Sequence, residues 1–338
     1  MRLSSHPGSL QPSARSLLFL RGRGTKVPLL KRFSDALRQL FGANVPPAVS
    51  ASERAAGLER KIIHLVDELP AMPITATRAL SLIEDPDVAL ADLADLIRED
   101  TALATAILRV ANSALFAGGT QTLRLDQAVV RLGLWMCKNI ITAVGVRSVL
   151  RGRSPPAEAD CNILWHHGFM TASLCTQINR DYRLGFGGEE YAAGLLHDLG
   201  RMLIALADSE CVTLANIMDF REEGDVLARE RATIGVDHCA LGGWFGELSN
   251  LPDSLVEVIR CHHAPAQARK LPRLVALVST ADHVANHIQC EMNVESYDPK
   301  ANVGFGCLTT GWATGRRDHL RAAITAEYIP SRRNSDEN

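Results

Sequence analysis

The side chains able to do chemistry crowd into one stretch of this 338-residue chain. Eight of its eleven histidines fall between positions 166 and 287: His166, His167, His197, His238, His262, His263, His283 and His287. Asp198 follows His197 directly, in Ala193-Gly194-Leu195-Leu196-His197-Asp198-Leu199-Gly200-Arg201, and Asp282 closes the series. Imidazole and carboxylate are ligands for zinc, iron and manganese. Buried without a partner, they cost free energy. In apolar, helical sequence such a set calls for a metal ion, a hydrogen-bonded network or a solvent-facing surface. The residue types alone leave all three open.

The elements that must position these groups read as helices from Leu58 onward. Ile62, Leu65, Val66 and Leu69 form one stripe, and Leu103, Ile107, Leu108 and Ala111 recur at spacings of three and four. Helices are expected over Thr75–Ile83, Leu90–Arg98, Ala102–Ala111, Leu125–Leu132 and Lys138–Leu150, the last two separated by Gly133. Arg151-Gly152-Arg153-Ser154-Pro155-Pro156 marks a seam. Beyond it, helices are expected over Trp165–Ile178, Glu190–Ala207, His238–Glu247, Ser254–His262 and Leu271–Gln289. Strand-type alternation is nowhere sustained. The fold class is therefore all-α, a two-part helical bundle with halves at 58–150 and 160–290. The segment 291–338 lacks strong periodicity and ends in a polar tail.

Charge divides the chain unevenly. Residues 1–45 carry eight Lys/Arg against Asp35 alone, whereas the remainder has 28 basic against 37 acidic side chains. An acidic body argues against specific nucleic-acid binding by the main domain. Residues 1–52 are expected to be a disordered basic segment and linker. Within it, a short amphipathic helix over 28–41 bears Leu29, Phe33 and Leu37 on one face and Lys31, Arg32 and Arg38 off it. That helix suits peripheral membrane contact, a partner, or its own domain. The eight scattered cysteines form no C-x-x-C and read as small buried hydrophobes in a reducing compartment. No run approaches ~18 apolar residues, so the expected location is cytoplasmic.

Ordered motifs give the chain a family likeness over roughly residues 60–290. Leu69-Pro70-Ala71-Met72-Pro73, Ile97-Arg98-Glu99-Asp100, Leu108-Arg109-Val110-Ala111-Asn112-Ser113 and Ala128-Val129-Val130-Arg131-Leu132-Gly133 resemble the N-terminal half of the HDOD module. Leu164-Trp165-His166-His167, the His197-Asp198 stretch, Gly235-Val236-Asp237-His238, Leu251-Pro252 and His262-His263 resemble its HD-type half. Thr101 stands where the family usually has proline, and it too can open a helix. The resemblance implies a bacterial signal-transduction module, usually without demonstrated catalysis, that acts through a partner protein or a nucleotide second messenger.

By likeness to HD metallophosphohydrolases, one divalent ion (iron, manganese or zinc) would take His167, His197, Asp198 and Asp282. By likeness to HD-GYP phosphodiesterases, a second would share Asp198 and add His238, His262 and His263. Two ions sharing a carboxylate can ionise a bridging water and clamp a phosphate. Two departures weigh against turnover. Arg201 stands where those enzymes carry lysine, leaving it as the candidate catalytic cation. The Gly-Tyr-Pro segment after the paired histidines is replaced by Ala264-Pro265-Ala266-Gln267-Ala268. Catalysis by an HD-type phosphohydrolase is thus the alternative expectation rather than the leading one.

Five further side chains carry expectations of their own. Asn112 is expected to cap its helix in the left-handed conformation, with Phe116 packing back and Gly118-Gly119 turning the chain. His283 and His287 are expected at the surface or behind the ligands, and Glu230 and Asp237 as acceptors for ligating imidazoles.

Overall fold

The computed structural model describes residues 51–328, apart from 114–115, 118–119, 152–153 and 291–295. The basic segment with its helix at 28–41, the Gly118-Gly119 turn and the tail from 329 lie outside the described residues. Among those described there is no strand, and the all-α expectation holds.

The first half comprises α1 (Ala51–Glu68), α2 (Ile74–Ile83), α3 (Leu90–Arg98), α4 (Thr101–Ala111) and α5 (Leu125–Val149). Asp100 accepts hydrogen bonds from the Ala102 and Leu103 amides, so α4 starts on an aspartate cap and Thr101 needs no proline. Leu93, Ile97, Leu103, Ile107, Ile140 and Ile141 make the core of this half. Among the described helices, α5 alone has the length and composition to cross a membrane. About half of that span is buried in the protein, with Val129, Ile140 and Ile141 in the core and Val130 and Trp135 exposed, and Gly133 breaks its helical path at φ 74°, ψ 165°.

The second half begins with α6 (Pro155–Tyr182), capped by Ser154. It continues through α7 (Glu189–Leu196), α8 (Leu199–Ala207), α9 (Ser209–Leu214), α10 (Val226–Ile234), α11 (His238–Leu248), α12 (Asp253–Cys261) and α13 (Pro272–Gln289). The chain from 296 onward is better structured than its weak periodicity suggests. It forms α14 (Val303–Leu308), α15 (Thr314–Ala323) and a π-turn at Ile324–Tyr328. Phe305, Leu308, Leu320, Ile324 and Tyr328 enter the second core. These helices are too short for a period to emerge. Helix α1 also contributes Leu58, Ile62 and Leu65 to that core, so the first of the described helices supports the second half.

Two expectations are corrected. Glu190–Ala207 is not one helix: it breaks at the His197-Asp198 doublet, with His197 ending α7 and Asp198 preceding α8. Asn112 is not left-handed (φ −96°, ψ 0°). Its side chain donates to the Thr122 carbonyl at 2.7 Å and accepts from the Thr122 amide at 2.8 Å. Asn112 thereby closes the loop leading into α5, a task that needs no positive φ.

Two close backbone approaches set the relative positions of the histidine-bearing helices. At the α6–α7 contact, a Cβ on Gly168 would lie 2.5 Å from the Leu195 carbonyl oxygen, and one on Gly194 would lie 2.7 Å from the Ala172 Cα. At the α8–α11 contact, a Cβ on Gly200 would lie 1.9 Å from the His238 carbonyl oxygen. Only glycine permits helices this close. Gly200→Ala is therefore expected to destabilise the protein by at least ~1–3 kcal/mol, the usual cost of overpacking. Gly57→Ala, in α1 with nothing within 4 Å of the new methyl, is expected to stabilise it by ~0.5–1 kcal/mol. Urea unfolding of both variants checks the pair, and equal midpoints would contradict the close-approach argument.

Candidate metal centre

The broken helix places His197 and Asp198 at the meeting point of α7 and α8, with His197 still helical and Asp198 departing from the helical path. His167 arrives from α6, His238 from the first residue of α11, His262 and His263 from the end of α12, and Asp282 from the middle of α13. The structure thus gathers all seven sequence-selected residues at one place. His166, the neighbour open to confusion with His167, is exposed, whereas His167 is fully buried.

The four buried imidazoles share one arrangement. His167 Nδ1 lies 3.0 Å from Gln289 Oε1, and His197 Nδ1 lies 2.8 Å from the Gly194 carbonyl oxygen. His238 Nδ1 lies 2.8 Å from Glu230 Oε2, and His262 Nδ1 lies 3.1 Å from the Ile259 carbonyl oxygen. Each partner is an acceptor, so each Nδ1 carries the proton and donates it. Each Nε2 is thereby turned inward, the orientation that ligating histidines adopt.

Those Nε2 atoms converge on two carboxylates. Asp282 Oδ1 is 3.0 Å from His167 Nε2 and 3.3 Å from His197 Nε2. Asp198 Oδ2 is 3.6 Å from His197 Nε2 and 3.9 Å from His167 Nε2. Its Oδ1 is 3.5 Å from His238 Nε2 and 3.6 Å from His262 Nε2. Asp198 Oδ1 and His197 Nε2 are nevertheless buried without hydrogen-bond geometry to any partner among the described residues. Buried polar atoms are normally satisfied. His167 Nε2 bonds Asp282 Oδ1, but Asp198 Oδ1 and His197 Nε2 lie 3.3–3.6 Å from neighbouring donor atoms without bonding them, which fits a set arranged around a cation. The residues present can hold a divalent ion: His167, His197 and Asp282 offer donor atoms within 4.8 Å of one another, as do His197, Asp198 and His262, and as do His238, Cys239, His262 and His263.

Charge follows the same logic. Burial opposes ionisation of Asp198, but Arg201 and His197 outweigh it and hold the carboxyl well below the usual range. Asp282 is likewise held low against burial by His197 and His167. Burial also opposes charge on His238, yet Glu230 and the Cys239 thiol raise its pKa to about 10. His263 is pushed well below the usual imidazole value by burial and by His262 and His238. The carboxylates thus retain their charge and demand positive charge nearby. Protons on imidazole supply it, and a divalent cation can displace them.

Arg201 is held by the protein, although its Nε makes no hydrogen bond among the described residues. Its Nε lies 3.3 Å from Asp198 Oδ1, one Nη donates to the Ile217 carbonyl at 3.0 Å, and the other pairs with Glu222. The side chain is 1% exposed, so its guanidinium holds Asp198 in place rather than facing a cleft. Glu230 accepts from the ring and the backbone amide of His238, as expected of an orienting carboxylate. Asp237 differs: it caps α11 through the Ala240 amide and pairs with Arg231. His287 is buried, contrary to a surface reading, and both it and His283 pack on Tyr297.

Sequence reasoning missed two residues of the centre. Cys239 follows His238 and lies among the imidazoles, a position its adjacency could have signalled. Glu222, in the left-handed region at φ 52°, reaches Arg201 and stands 3.7 Å from His263 Nε2. It sits in a polar turn with no local signature. Beside His263 and Cys239 a cleft of about 570 Å³ opens, with Arg231 and Arg260 also on its wall.

Comparison with known proteins agrees with this architecture. The HDOD domain profile matches residues 69–265. A protein of Treponema pallidum (strain Nichols) is 26% identical over 292 residues, covering 86% of this chain. The chain spans only 56% of that relative's length. Among solved structures, an HDOD domain protein of unknown function from Geobacter sulfurreducens superposes with a TM-score of 0.59 at 23% identity. The match covers 82% of this chain and 97% of that one. A Shewanella amazonensis protein provisionally named a metal-dependent phosphohydrolase gives 0.54 at 17% identity, covering 81% and 97%. At these identities the structural likeness establishes the fold.

The raised pKa of His238 has a measurable consequence. Its protonation stabilises the metal-free protein fully below the unfolded value of 6.5, and that stabilisation is lost as pH rises through about 10. Chelator-treated protein is expected to melt at progressively lower temperature across this range. Zinc binding releases protons and should tighten as pH rises. Thermal melts with and without zinc check both, and a pH-independent melting temperature of the chelated protein would refute the assignment.

Proposed function

The chain belongs to the HDOD domain family, and from that premise we propose that it is a regulatory, signal-transduction module built around a divalent-metal centre that it holds without turning over a phosphoester. The observation that carries this reading is the common arrangement of His167, His197, His238 and His262. Each Nδ1 is engaged by a protein acceptor and each Nε2 is turned toward Asp198 or Asp282. When bound, a divalent ion would neutralise the two carboxylates and offer a Lewis acid to an anionic ligand.

The protein's own groups would do the rest. Glu230, Gln289 and two backbone carbonyls fix the imidazole tautomers. Arg201 holds Asp198 and is spent on protein acceptors, which supports binding over phosphoryl transfer, since no free guanidinium fork remains there for a phosphate. The output would pass through a partner protein or a nucleotide second messenger. The cleft is within the size range of small-ligand sites.

One observation favours a second reading, that of a metal-dependent phosphohydrolase. The same cleft adjoins His263 and Cys239 and could admit a phosphoester to the centre. The two readings separate in one experiment. Freshly purified protein is analysed for metal, then assayed for phosphate release from cyclic dinucleotides and a generic aryl phosphodiester. The regulatory reading expects near-stoichiometric iron, manganese or zinc, at least ~10-fold weaker metal binding in Asp198→Ala, and no turnover above background. Metal-dependent turnover abolished by Asp198→Ala would establish the hydrolase instead. A protein that takes up none of the three metals would end both.

A further inference from the structure

Cys239 lines the cleft, in a position that the histidine and aspartate pattern does not account for. It is the second residue of α11, 3% exposed, with its backbone held by two fixtures. Asp237 caps the helix at the Ala240 amide, and Gly200 packs against the His238 carbonyl. Both fix the backbone from which the side chain projects.

Its Sγ is 3.6 Å from His238 Nε2 and 3.9 Å from His262 Nε2, and those two nitrogens are 3.3 Å apart. Tetrahedral coordination at ordinary Zn–N and Zn–S lengths requires edges of ~3.3 Å between two nitrogens and ~3.6 Å between nitrogen and sulfur. Two of the three edges meet those values and the third is within about 0.3 Å. His263 supplies a fourth donor, with all four ligand atoms within 4.8 Å of one another. The buried Asp198 Oδ1, without a hydrogen-bond partner, points into the same group from 3.5 Å.

We propose that Cys239 is a ligand of the ion held by His238 and His262, making this position selective for zinc-class ions over manganese. This rests on the metal-holding reading above and adds the identity of a donor and of the ion it favours. Thiolate is a soft ligand suited to zinc, while manganese prefers oxygen donors. The other side of the centre, with His167, His197, Asp198 and Asp282, has no sulfur. The two positions are therefore chemically unequal although they share Asp198.

Cobalt(II) replaces zinc and reports sulfur ligation directly. Full-length protein is stripped and titrated with cobalt, and the near-ultraviolet spectrum is followed for a thiolate-to-cobalt charge-transfer band. The band is expected in the unaltered protein and in Cys261→Ser, and absent in Cys239→Ser and Cys239→Ala. Zinc affinity should fall at least ~10-fold in the Cys239 variants, with manganese affinity nearly unchanged. The unaltered protein's spectrum needs no variant to fold. Cobalt bound without the band, or a band that survives Cys239→Ser, overturns the proposal and leaves the metal-holding reading standing. Failure to bind cobalt, zinc or manganese at all overturns both.

Discussion

Two carboxylates removed from water dominate this structure. Asp198 and Asp282 are 3% and 5% exposed, and an ionised carboxylate without compensation at that depth costs several kcal/mol. Compensation comes from four imidazoles and one guanidinium, contributed by α6, α8, α11, α12 and the break between α7 and α8. Each of these helices is tied to the others by a charge that none can lose alone. Removing one partner leaves the carboxylate buried and under-neutralised, which costs more than the contact's net worth.

The backbone meets this demand through close contact and interruption. Gly168 and Gly194 bring α6 against α7, and Gly200 and Gly242 bring α8 against α11, at separations a methyl group would not tolerate. The helix that would have run through His197 and Asp198 is broken there. In a continuous helix adjacent residues point about 100° apart, and Asp198 leaves that path at φ −92°, ψ 22°. The break lets His197 give its Nδ1 proton to the Gly194 carbonyl while its Nε2 and the Asp198 carboxylate face the same space.

Outside the centre, the two halves are stitched together by their ends. Helix α1 crosses over to support α8 and α10, and the segment beyond 296 returns to cover α13. His283 and His287, on the α13 face turned from the ligands, pack on Tyr297 of that returning segment. The helix that supplies Asp282 is therefore clamped on both sides, which keeps the carboxylate in register with His167 and His197.

Much of this was legible in the residues alone. The all-α class and the helices around 90–111 and 238–289 follow from periodicity, because helix pattern is a local property, and the family resemblance singled out the seven residues that the fold brings together. The tertiary structure decided the remainder. It showed that the expected helix over Glu190–Ala207 breaks at its functional doublet, that Asn112 closes a loop instead of taking a left-handed cap, and that Arg201 is consumed by Asp198, Ile217 and Glu222. It also brought Cys239 and Glu222 into the centre, and showed which imidazole nitrogen each histidine turns inward. These outcomes depend on which carbonyl or carboxylate a distant helix presents, and hydrogen-bond partners far apart in the chain leave no trace in local spacing.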